Sequence, residues 1–208
     1  MLKKRIIPVL LWDGVAAVKG RGFKPDRRIG SMMDRIRIYE RRGIDELIIL
    51  DIAATPDGRG PKFSEIQEFT AHMFCPVTIG GGVRTVEDVG ELLRAGADKV
   101  AICSGAHDYP GLVEHAAEKY GRQAIVGAVD AFDNGTMALG CGARGGVIGA
   151  VDWAMFLARK GAGEILLTSI SRDGTRAGYD LPLIRDVAKA VSVPVIACGG
   201  AGTYQHMA

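Results

Sequence analysis

Nothing in these 208 residues approaches the ~20 consecutive apolar positions that a membrane span needs. Cys75, Cys103, Cys141 and Cys198 never form a CxxC pair, which leaves zinc and disulfide-framework patterns without support and makes a reducing cytoplasm the default compartment. His72, His107, His115 and His206 show no metal-ligand spacing, so surface or helix roles are expected for each and no metal. A net charge of +2 gives no global drive towards nucleic acid or a membrane surface. The start, Met1 to Pro8, is basic then apolar like a signal peptide, but the run soon meets Trp12-Asp13-Gly14 and no cleavage site follows. What remains is an ordinary soluble globular composition, 48% hydrophobic and 24% charged, long enough for a substantial core.

What the chain does have is a repeated glycine turn. Val77-Thr78-Ile79-Gly80-Gly81-Gly82-Val83-Arg84-Thr85 returns as Val195-Ile196-Ala197-Cys198-Gly199-Gly200-Ala201-Gly202-Thr203. Each copy is an apolar run that breaks into glycines and then opens a helix. Successive glycines let backbone N–H groups converge on an anion, and a helix N-terminus adds partial positive charge. The same glycines also serve a plain strand-to-helix turn.

Seven apolar runs alternate with helical patterns: residues 5–12, 46–52, 76–79, 99–103, 123–130, 164–170 and 193–197. Ser31, Thr85, Asp152 and Asp180 read as helix caps, and Ser64 with Gln67 as a capping box. Residues 13–30 form a long polar segment of the kind that is either a functional lid or disordered, and residues 131–149 are glycine-rich with room for a hairpin. Nearly all-apolar strands alternating with helices predict a parallel sheet covered by helices.

Gly161-Ala162-Gly163-Glu164 matches Gly43-Ile44-Asp45-Glu46, and Pro194, Gly199, Gly200 and Thr203 match Pro76, Gly81, Gly82 and Thr85, all at an offset of 118. Such a repeat predicts one (β/α)8 TIM barrel domain over residues 1–208, built from half-barrels of about 1–118 and 119–208. Two such units need about 236 residues, so the barrel is expected to be truncated before its eighth strand.

Barrel chemistry sits at the C-terminal strand ends, which collects Asp51, Gly81, Gly82, Cys103, Ser104, Asp130, Thr168, Ser169, Asp173, Gly174, Gly199 and Gly200. The two glycine turns would suit a substrate with a phosphate at each end. Asp130 ends an apolar run, where partial burial suits a carboxyl to acid–base work, or it is a capping residue; Asp51 and Asp173 face the same choice. Arg5, Glu46, Lys99 and Glu164 start four strands at comparable depth, either as a charged layer across the floor or as separate solvated charges.

Together these residues resemble the cyclase subunit (HisF) family of imidazole glycerol phosphate synthase. The stretches that carry the resemblance include Lys4-Arg5-Ile6-Ile7, Leu50-Asp51-Ile52, Gly96-Ala97-Asp98-Lys99-Val100, Gly161 to Ile170 and Arg172-Asp173-Gly174-Thr175. The resemblance implies a mouth that binds a phosphorylated substrate and a floor that docks a HisH-like glutaminase subunit, with ammonia crossing between them. It implies that Arg5, Glu46, Lys99 and Glu164 gate the ammonia, that Asp98 faces the glutaminase, that Asp130 is one of two catalytic aspartates and that Lys19, on the mobile loop after strand one, is catalytic with it. It implies no cofactor.

The second catalytic aspartate is missing, because Leu10-Leu11 stands where the family pattern reads Leu-Asp. Leucine transfers no proton, and Asp13 falls beyond the strand end. Cys103 stands where the family usually has an amide. The departure resembles the HisF-like WbuZ paralogue group, associated with glycosyl amidation in surface-polysaccharide synthesis, whose first strand commonly reads like Pro8-Val9-Leu10-Leu11. The expectations are therefore the amidation paralogue first, the histidine-pathway cyclase second, and a non-catalytic scaffold or inactive fragment third.

Overall fold

The computed structural model describes residues 4–139 and 144–207; Cys141 and part of the 131–149 segment lie outside them. The chain begins with β1 (Val9–Trp12), a hairpin of β2 (Ala17–Arg21) and β3 (Lys24–Gly30), α1 (Met32–Glu40), β4 (Leu47–Asp51) and α2 (Phe63–Thr70). It continues through β5 (Val77–Gly80), α3 (Val86–Arg94), β6 (Lys99–Ile102), α4 (Ser104–Asp108), α5 (Leu112–Tyr120) and β7 (Ile125–Ala131). A second hairpin, β8 (Thr136–Leu139) with β9 (Arg144–Gly149), leads to α6 (Ala150–Arg159), β10 (Glu164–Ser169), α7 (Leu181–Ala190), β11 (Val195–Cys198) and α8 (Tyr204–Met207).

The seven expected runs become parallel strands in the order β11-β10-β7-β6-β5-β4-β1. This is the neighbour-by-neighbour order of a TIM barrel, and among the described residues β11 pairs only with β10. Alternation along each strand sorts its side chains. Leu10, Ile49, Ile79, Ile102 and Leu167 face the helices, while Ile48, Ala101, Val126, Ala128 and Leu166 form a smaller cluster inside. Leu92, Leu112 and Leu157 hold α3, α5 and α6 on the sheet; each is fully buried and contributes roughly 1.5–3 kcal/mol. Among the described residues no helix is long and apolar enough to cross a membrane.

Ser31, Thr85 and Asp180 cap their helices as expected, each side chain accepting a backbone N–H three residues on. Two other expected caps fail because the helices begin earlier. α2 starts at Phe63, so Ser64 lies inside it and donates to Glu65, and α6 starts at Ala150, which places Asp152 in its first turn. The polar 13–30 segment is an ordered β2–β3 hairpin, and α4 appears directly after β6 without a sequence signal.

Candidate active site

At the floor, the four strand-start charges form a closed ring. Arg5 donates to Glu46 and to Glu164 (3.2 Å), and Lys99 donates to Glu46 (3.4 Å) and Glu164 (2.8 Å). Arg5 precedes the first barrel strand while Glu164 opens the sixth, so this contact also marks how far the sheet curls. Burial opposes charge on Glu164, but hydrogen bonds from Lys99 and Arg5 win and hold its carboxyl below the usual range. Asp98 lies exposed on the same rim and accepts the Val77 N–H at 2.8 Å.

The opposite end opens into a cavity of about 1100 Å³. Asp130, Cys103, Thr168 and Cys198 stand side by side on its wall, from the ends of β7, β6, β10 and β11. The Cys103 thiol donates to Asp130 at 3.5 Å, and Thr168 bonds both Asp130 and Cys198. Burial pushes the Asp130 carboxyl up to about 6, against the pull of the Cys103 and Thr168 hydrogen bonds. That value suits a group that gives or takes a proton near neutrality. Burial pushes Cys198 up to about 11, so its thiol stays protonated and is a poor nucleophile.

Leu11, Lys19, Asp51, Gly81, Gly82, Ser104, Asp173 and Gly174 also border this cavity; Ser169, Gly199 and Gly200 do not. Ser169 follows inward-facing Thr168 and so points outward, towards Ser171 and Asp180. The strand alternation carried that signal. Asp51 borders the cavity with both oxygens engaged: it accepts two hydrogen bonds from Arg59 (2.6 and 2.8 Å) and the N–H groups of Ala53 and Ala54. The pairing with Arg59, eight residues on, had no sequence signal.

The glycine turns repeat down to their contacts. A Cβ on Gly81 would meet the Asp51 carbonyl at 2.2 Å, and one on Gly199 the Ser169 carbonyl at 2.6 Å, with glycine and carbonyl both offset by 118. All four glycines have positive φ, so both geometry and space require glycine. In the first turn the N–H groups of Arg84 and Thr85 are already bound by Asp88.

Across the mouth lies the β2–β3 hairpin. Its two-residue turn, Gly22-Phe23, has φ of 59° and 62°, and both residues are tied to Asp173, through its carbonyl (3.1 Å) and its carboxylate (3.3 Å). Burial raises the Asp173 carboxyl despite hydrogen bonds from the N–H groups of Phe23 and Gly174. Asp13 does not substitute for the missing acid: it bonds Arg28 at 2.6 Å and caps the turn at Val15 and Ala16.

Parallel strands in barrel order, chemistry at their C-terminal ends and a half-barrel repeat agree with comparison against known families. Residues 5–208 match the model of the histidine biosynthesis protein family, and the chain belongs to that family, whose members are enzymes of histidine biosynthesis.

Proposed function

We propose that the chain is the synthase subunit of a glutamine amidotransferase complex, using ammonia from a glutaminase partner to amidate a nucleotide sugar for surface polysaccharide. The observation that carries this reading is the composition of the mouth. Leu11 and Asp130 border one cavity, Asp13 is committed to Arg28, and Asp173 is committed to the hairpin turn. Only Asp130 combines a shifted carboxyl with exchangeable thiol and hydroxyl partners.

A single acid fits replacement of an amide oxygen by nitrogen. Ammonia attacks the acetamido carbon and the C–N bond forms. The oxygen takes one proton from the new nitrogen and one from Asp130, the C–O bond breaks and water leaves, and a second proton from the nitrogen returns to Asp130, leaving the amidine. Cyclisation in the histidine pathway calls for two carboxyls, and leucine cannot stand in for one. The floor ring supports the source of the nucleophile, since its four charges line the barrel end opposite the mouth and cancel one another. Asp98 on the same exposed rim suits a glutaminase contact.

Family membership itself favours a second reading, the histidine-pathway cyclase. The two separate in one assay, with the protein, ammonia and the bisphosphate substrate of that pathway. The amidation reading expects no turnover from the natural sequence and measurable turnover from Leu11→Asp; ordinary enzymatic turnover without that change overturns it.

A further inference from the structure

Beside the main cavity, the outer side of the hairpin and the loop after β10 enclose a second pocket of about 530 Å³. Lys19, Arg21, Lys24, Arg27 and Arg176 line it with one acid, Asp26, a local formal charge of +4 in a chain whose whole net charge is +2. Among the described residues none of the five cations lies within ion-pair distance of a carboxylate. Asp173, on the same loop as Arg176, spends its carboxylate on the N–H groups of Phe23 and Gly174.

The pocket is also where the backbone is held out of its ordinary range. Arg176 (φ 59°) lines the pocket, and Phe23 (φ 62°) sits in the neighbouring hairpin turn on the main-cavity side; they are the two non-glycine residues of positive φ among those described. Such conformations persist only where surrounding structure fixes them, and they cluster at ligand sites. Here Gly20 and Gly174 make the fit: a Cβ on Gly174 would lie 2.4 Å from the Gly20 carbonyl. A register shift between Lys19 and Gly20 re-aims the strand at that point.

We propose that this pocket binds a diphosphate group, as a site separate from the glycine turns. Three guanidinium forks offer paired donors to phosphate oxygens, and two lysines add point charge. A single phosphate would use part of that set and leave the remaining cations repelling one another; two adjacent phosphates use it fully. The volume falls within the roughly 300–1,000 Å³ of small-ligand sites, which leaves room for the group that the diphosphate carries. Lys19, Gly20, Lys24, Pro25, Gly174 and Arg176 border both this pocket and the main cavity, so a ligand held here can reach towards Asp130. The site stands whichever reaction Asp130 performs.

Isothermal titration calorimetry with orthophosphate, pyrophosphate, a nucleoside monophosphate and a nucleoside diphosphate tests it. The proteins are the natural chain, the double variant Arg21→Gln/Arg27→Gln and the single variant Arg176→Gly. The two glutamines replace exposed side chains, and glycine accepts the backbone of position 176, so unfolding is not a confounding outcome. Pyrophosphate should bind about tenfold or more tightly than orthophosphate, and each variant should weaken it by about tenfold. A nucleoside diphosphate tighter than pyrophosphate identifies a nucleotide as the occupant, and equal affinity identifies the diphosphate alone; both keep the site. Equal affinity for orthophosphate and pyrophosphate, undiminished binding in the variants, or no pyrophosphate binding overturns it.

Discussion

At the floor, Arg5, Glu46, Lys99 and Glu164 satisfy one another in a closed ring, whereas at the lid Lys19, Arg21, Lys24, Arg27 and Arg176 share one acid. The floor places Glu46, Lys99 and Glu164 at or beside strand starts and Arg5 in the segment leading into the first strand, so opposite signs meet at one end of the barrel. The lid places its cations on a two-stranded hairpin that turns them towards one side. Charge that finds a partner inside the chain is spent on the fold, and charge left without one is available to a ligand. The mouth carries the same contrast among its acids: Asp51 is fully bound by Arg59 and backbone, while Asp130 faces a thiol and a hydroxyl.

The largest effect is expected at that uncommitted acid. Asp130→Asn should lower turnover by about 10²–10⁴-fold. The same change should stabilise the protein at neutral pH. Burial raises this carboxyl from 3.8 to about 6, so the ionised form costs folding free energy, about 3 kcal/mol at most. The sign follows: stability falls as pH rises from about 4 through about 6, then levels off, and the asparagine variant lacks that slope. Urea unfolding from pH 4 to 8 reads it directly, and a proton-donor role adds loss of activity as pH rises through about 6.

Breaking the ring ranks next. Glu46→Gln leaves Arg5 and Lys99 to share Glu164, and the Lys99 side chain is only 16% exposed. The cost should be about 2 kcal/mol, below that of a fully buried pair because Arg5 is 41% exposed. A lower urea midpoint with unchanged slope is the expected signature. Lys24→Gln at the lid, by contrast, should change stability by no more than about 0.5 kcal/mol. Equal costs at the two places would erase the distinction between them.

The floor was readable before any coordinates because its signal was simple: four charges, each at the start of an apolar strand, at one depth. The barrel order was readable for the same reason, since seven buried runs and an offset repeat admit few arrangements. The lid was not. Ala17-Val18-Lys19-Gly20-Arg21 and Lys24 to Gly30 alternate poorly, and their turn puts phenylalanine where asparagine or glycine is the usual cue. Ser64 and Asp152 misled because a capping residue type a position or two inside a helix looks the same in sequence as one at its edge. At the mouth, a shared strand end groups Ser169 with Thr168 although strand alternation argues against it, and nothing in the sequence foretold that Arg59 would occupy Asp51 or that Asp173 would hold the hairpin.

That last tether offers the smallest global effect and the most local one. Phe23 keeps its left-handed backbone while the Asp173 carboxylate accepts its N–H and the Asp173 carbonyl accepts that of Gly22. Asp173→Ala removes one of these two bonds, a loss of about 1 kcal/mol, and takes away a carboxyl that burial already disfavours, which offsets part of it. Global unfolding should therefore barely move. The hairpin should open far more often, because it is joined to the barrel mainly by the short β1–β2 pairing and this contact. Trypsin finds Arg21 and Arg27 exposed there, while Pro25 blocks cleavage after Lys24, so limited proteolysis at these two sites should speed up by about fivefold. Cleavage at Arg94, exposed on α3 and remote from the lid, should keep its rate. Faster cleavage at both places would mean that the tether supports the whole barrel; unchanged cleavage at both would mean that the strained turn holds without it.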